Sequence, residues 1–229
     1  MLRPKKKITR KELKQDALIT TYAEVTNFYE THKKNISIAI TVVAVVIIAW
    51  GLYFKNRSDN NEAATTLLGS IYTLYDNGQY QLAIDGVPEK NVQGLKAIVD
   101  NYGNSQAGEI AKFYLASAYY QLGNYQEALK DFEECSPPGN LLTVSRLSGI
   151  ADCCEAMGDH GKAGENFEKA AAKDSRDVNV AENLNNAARN YAEAGEKEKA
   201  LELYRRLKKN FPTTTFGRDA DRYIAQLSV

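Results

Sequence analysis

Hydrophobic and polar positions divide the chain into regimes of different periodicity. From Ile36 to Phe54 runs ISIAITVVAVVIIAWGLYF, 19 residues without a charge. At ~1.5 Å per residue a helix of that length spans about 28 Å, enough to cross the hydrocarbon core of a bilayer. The run has no polar stripe, which a core helix of a soluble domain would show. Trp50, Tyr53 and Phe54 gather at its C-terminal end, where an interfacial aromatic belt belongs. A cleaved signal peptide would call for a shorter leader than residues 1–35, a shorter apolar core and a small-residue cleavage site. An uncleaved membrane anchor over 36–54 is therefore the expectation. Upstream, in the stub 1–35, Leu13, Ala17, Leu18, Tyr22, Val25, Phe28 and Tyr29 recur at helical spacing among polar residues. That pattern predicts an amphipathic helix lying on the membrane face.

Downstream, residues 55–62 are polar and read as a hinge, and from residue 63 the pattern repeats. Aligned on one glycine, the segments LYDNGQYQLAI, YYQLGNYQEAL, CEAMGDHGKAG and YAEAGEKEKAL superimpose. The glycines are Gly78, Gly123, Gly158 and Gly195, each suited to end a first helix in the left-handed conformation. Five residues later stands Ala83, Ala128, Ala163 or Ala200, small enough for close approach of a second helix. Four further on come Phe132, Phe167 and Tyr204 in the last three units, and four before the glycine come Leu74, Tyr119, Cys154 and Tyr191. Pro137-Pro138 and Pro212 stop the second helices of units two and four.

These positions resemble the tetratricopeptide repeat (TPR), a helix–turn–helix unit of about 34 residues. The resemblance implies an all-α chain, with one N-terminal transmembrane helix followed by a TPR α-solenoid. The domain 63–229 would hold units near 63–93, 107–138, 144–175 and 181–212, and a polar-backed cap over 216–228. The first interval is longer than the others. Val87-Pro88-Glu89-Lys90-Asn91 breaks the second helix of unit one, and Gly94 to Tyr102 reads as an extra short helix.

Charge sets the topology. Formal net charge is 0, with 29 Lys+Arg against 29 Asp+Glu, which removes any global case for nucleic-acid binding. Residues 1–57 carry 11 Lys+Arg against 4 Asp+Glu, and the remainder carry 18 against 25. Arg3, Lys5, Lys6, Lys7, Arg10, Lys11, Lys14, Lys33 and Lys34 precede the apolar run, and only Lys55 and Arg57 follow it closely. The positive-inside bias keeps the N-terminus cytoplasmic and sends residues 55–229 across. In a Gram-negative bacterium this is a single-pass inner-membrane protein with a periplasmic TPR domain.

Carrying the groove positions of TPR solenoids onto the first helix of each unit gives Leu68, Tyr72 and Tyr75, then Phe113, Ser117 and Tyr120. Units three and four supply Ser148, Asp152 and Glu155, then Asn185, Arg189 and Glu193. The groove is thus expected to be aromatic in its first half and polar, mostly acidic, in its second, and to receive protein partners. Aromatic rings offer large contact area at low entropy cost. The competing reading has several tyrosines packed against the extra helix 94–102. No catalytic constellation, metal site, cofactor motif or small-molecule substrate site emerges. His32 and His160 are far apart in sequence, and the glycines around Lys162 fail the phosphate-loop spacing. Cys135, Cys153 and Cys154 read as buried small hydrophobes, with their redox state open.

The layout as a whole, KELKQDALITTYAEVTNFYETHKKN before the span and repeats after it, resembles the YfgM-like family of bacterial membrane-anchored TPR proteins. YDNGQYQLAI and AKFYLASAYYQLGNYQEAL resemble its Bacteroidetes and Chlorobi versions. That resemblance implies a non-enzymatic ancillary subunit near the Sec translocon, working with a periplasmic chaperone on emerging clients. The alternative is an envelope assembly or cell-wall coordination factor of the Tol–Pal type.

Overall fold

A computed structural model describes residues 10–173 and 179–228, with backbone only over 10–18. The basic residues Arg3, Lys5, Lys6 and Lys7, and the last two residues of the unit expected over 144–175, lie outside the described residues. The chain divides into two units, 1–56 and 57–229.

Helix α1 is Arg10–Asp76. Within the first unit its apolar run is uncovered: Ile40, Ile47, Trp50 and Leu52 are all exposed. Among the described residues this is the one helix long and apolar enough to cross a membrane by length and composition. Residues 55–62, expected as a hinge, are helical. Polar composition alone does not break a helix, and this stretch holds neither Pro nor Gly.

The second unit begins with the end of α1 and continues through α2 (Tyr80–Asp85), α3 (Leu95–Tyr102), α4 (Gln106–Gln121) and α5 (Tyr125–Glu134). It goes on with α6 (Asn140–Ala156), α7 (His160–Lys173), α8 (Val180–Glu193), α9 (Lys197–Asn210) and α10 (Thr215–Leu227). From α4 onward each helix packs on its chain neighbour, as in a stacked repeat array. Each first helix ends the same way. Gly78, Gly123, Gly158 and Gly195 have φ of 71°, 80°, 81° and 80°. The following amide reaches back to the carbonyl of Leu74, Tyr119, Cys154 or Tyr191 at 2.8–2.9 Å, a Schellman closure. The residue four before the glycine is therefore both a packing group and the acceptor that closes the turn. Ala83, Ala128, Ala163 and Ala200 are fully buried where the second helix crosses the first.

Unit one departs from the rest as its sequence foretells. Helix α2 stops at Asp85, and the chain makes a two-stranded antiparallel hairpin, β1 (Gly86–Val87) with β2 (Val92–Gln93), around a short 3-10 turn at Pro88–Lys90. The hairpin is the sole sheet among the described residues, an addition to the all-α expectation. Helix α3 then returns the chain, burying Leu95 and Ile98 with Leu68, Ile71 and Ile84. At the far end α10, in the stretch read from the sequence as a cap, covers α9 with Phe216, Ala220, Tyr223, Ile224 and Leu227. Tyr223 stacks on Tyr204 at 4.8 Å.

Candidate functional site

The first helices of successive units meet side by side through specific groups. Between α1 and α4, Tyr114 receives Tyr72 and Tyr75 edge-on, each at 5.1 Å, and Tyr75 meets Tyr80 at 5.2 Å. The rings thus pack on one another, and Tyr75 and Tyr114 also pack against the unit-one core that holds Leu95 and Ile98 of α3. Tyr72 keeps 36% of its surface exposed and is the ring most available to a partner. Leu68 is only 2% exposed, inside the core cluster of unit one, and does not line an open face. Ile98 and Leu95 of α3 belong to the same buried cluster. Phe113 is half-buried, edge-on to Phe132 at 5.7 Å. Tyr120, also half-buried, lies 5.4 Å from Tyr125.

Between α6 and α8 the contacts are polar. Arg189 grips Glu155 with two parallel bonds, 2.8 and 2.9 Å, the fork geometry that makes Arg–carboxylate pairs strong. Asn190, fully buried, donates to the same carboxylate at 2.7 Å, and its Oδ1 lies 2.9 Å from His160 Nδ1. Burial alone would push Glu155 up, but the Arg189 and Asn190 hydrogen bonds outweigh it and hold the carboxyl below its ordinary value. Glu155 and Arg189 are therefore engaged with each other.

Next to this clamp is a polar recess of about 260 Å³, walled by Ser148 and Asp152 of α6, Phe167 of α7, and Glu182, Asn183 and Asn186 of α8. Ser148 Oγ donates to Asn183 Oδ1 at 2.9 Å, and Asn183 is only 4% exposed. Asp152 is raised to about 6, first by burial and then by the charges of Glu155 and Glu182, with Arg189 opposing weakly. Of the expected residues, Ser148 and Asp152 come together here, while Asn185, half-buried, is not part of the lining. Glu182, Asn183 and Asn186 are outside the expected set. They fall one turn before, or beside, the positions carried over from the repeat pattern. The spacing Asn179, Asn183, Asn186 places them on one stripe of α8.

The cysteines are buried, and Cys153 lies behind this face, close enough to Asp152 and Tyr120 to feel their charges. Cys135 caps α5 with extended backbone instead of lying in the helix. Burial pushes its thiol to about 11 and that of Cys153 to about 12. All three are free and buried. No group of three potential metal ligands occurs among the described residues.

Comparison with known proteins places these features in a family context. Tetratricopeptide-repeat family profiles match residues 141–211 and 110–135. No curated protein matches the chain. Among solved structures, the nearly identical TPR-like repeats of a candidate kinesin light chain from Podosopora anserina superimpose with a TM-score of 0.54 at 18% identity, covering 73% of this chain and 86% of that one. A point variant of the same repeats gives 0.54 and 18%, with 73% and 85% covered. Identity this low speaks for the fold alone. Residues 110–135 and 141–211 are thus tetratricopeptide repeats, set in an all-helical array of TPR-like fold.

Proposed function

We propose that this chain is a non-enzymatic protein-interaction scaffold, tethered to a bacterial inner membrane by residues 36–54 and offering the first-helix face of its repeats to protein partners in the periplasm. The observation that carries this reading is the composition of that face. Tyr72 stands partly free at one end, and a polar recess around Asp152 opens at the other. Groups spent entirely on holding repeats together would be buried or paired, as Leu68 and the Glu155–Arg189 clamp are. The lateral position of the face suits an extended segment of a partner chain, because stacked repeats expose an unbroken strip across units.

The anchor rests on the uncovered apolar run and on the excess of basic residues before it. The likeness of layout to YfgM-like proteins supports a station near the Sec translocon, with a periplasmic chaperone and emerging clients as partners. A mild-detergent pull-down of tagged full-length protein from its own membranes, read by mass spectrometry, tests this. Recovery of translocon subunits together with a periplasmic chaperone is the expected result. Recovery of cell-wall or outer-membrane assembly proteins without translocon subunits would replace it with the envelope-factor role.

A further inference from the structure

The recess between α6, α7 and α8 has a chemistry narrower than the face around it. We propose that it takes the cationic side chain, lysine or arginine, of an extended partner segment lying along the repeats. This inference rests on the scaffold reading and adds the class of residue by which a partner is anchored.

A cavity of about 260 Å³ falls just below the ~300–1,000 Å³ of pockets that enclose a drug-sized ligand, and so matches one long side chain. Asp152 and Glu182 both line the recess, and among the described residues no ion pair forms with Asp152. Among the described residues the guanidinium whose charge reaches Asp152 is that of Arg189, and Glu155 holds it in two bonds. The recess therefore keeps a negative field with no cation of its own on the described walls. Buried Val144 and Phe167 back the recess with a small apolar base, and Ser148, Asn183 and Asn186 supply hydrogen-bonding oxygens and carboxamides around a charged tip. Long basic side chains bury their stems and keep their heads among polar groups. A carboxylate partly withdrawn from water gains more from such a partner than an exposed one does.

The groups facing Asp152 also fix the pH dependence. They are Glu155 and Cys153 from its own helix, Tyr120 from α4, and Glu182 and Arg189 from α8, while α7 contributes the uncharged Phe167. With Asp152 at about 6, a cation binds the ionised form and binding weakens as pH falls through that value.

The test uses the full-length protein in detergent and fluorescein-labelled nonapeptides made of three Gly-Ala-Lys, Gly-Ala-Arg, Gly-Ala-Gln or Gly-Ala-Glu repeats, read by fluorescence anisotropy. Lys or Arg peptides should bind at least about tenfold more tightly than the Gln peptide at pH 7.5, the scale of a close charge pair. Asp152→Asn should remove most of that preference and its loss below pH 6. Glu182→Gln should weaken it, and Glu198→Gln, an equal charge change at an exposed site elsewhere, should not. Equal affinity for Lys and Gln peptides overturns the proposal. So does a preference that survives Asp152→Asn, or one reduced as much by Glu198→Gln. The scaffold reading is judged separately, by cross-linking from Tyr72 and Tyr120. Loss of the cation preference with cross-linking intact removes only this inference, and loss of both removes the reading beneath it.

Discussion

A methyl group added at Gly149 would meet the ring of Phe132 at 2.6 Å, so the contact between α5 and α6 depends on a hydrogen atom at that position. Gly149→Ala gains about 1 kcal/mol of helix propensity. It incurs roughly 1–3 kcal/mol of overpacking against a ring only 3% exposed. Net destabilisation is the expected outcome in urea titration, relieved when Phe132→Leu is added in a double-mutant cycle. Asp152 carries a second consequence at this scale. Its folded value of about 6 lies above the ordinary 3.8, so between those values the folded chain holds more protons than the unfolded one. Stability therefore falls as pH rises from about 4 to about 6 and stays lower above that window. Asp152→Asn should flatten the fall and make the protein more stable at pH 7.5, by something on the order of 1–3 kcal/mol at most. Thermal melts across that pH range measure it. A residue that lowers stability at neutral pH and faces an open recess fits a role in binding better than one in packing.

Among the elements, α1 shows where the sequence is legible and where it is not. The turn glycines, the alanines five residues on and the aromatics after them locate every helix pair of the regular repeats, because each obeys a local constraint. The end of α2, the extra helix α3 and the final helix α10 are legible for the same reason. Residues 55–62 mislead, because polarity marks solvent exposure and not the absence of a helix. Within them Asn61 ties two helices together, since its Oδ1 accepts the amide of Ala107 at 2.8 Å and so joins α1 to the start of α4. Asn61→Ala leaves that amide unpaired and should cost about 1–2 kcal/mol in chemical denaturation. Backbone amides of 55–62 should exchange slowly with solvent, as helical amides do, whereas a hinge would exchange at once. The site is half legible. The repeat pattern gives positions on a helix face but not what folds over them. It puts Leu68 in the groove, where α3 covers it, and it omits Glu182, Asn183 and Asn186, which line the recess.

The whole molecule holds an uncovered apolar run and a repeat array whose open face has two kinds of chemistry. If residues 36–54 anchor the chain, alkaline carbonate washing leaves the full-length protein with the membrane pellet, and deletion of 36–54 releases it. The proposed function holds that partners dock on the first-helix face of the repeats. It is tested most directly by placing a photo-cross-linking amino acid, one residue at a time, at Tyr72, Tyr120 and Asn186, and at the exposed Glu198 and Lys209 as controls, in cells of the native host. Cross-linked protein partners at the first three positions and none at the two controls is the predicted result. Partners captured equally at the controls, or only there, would contradict it.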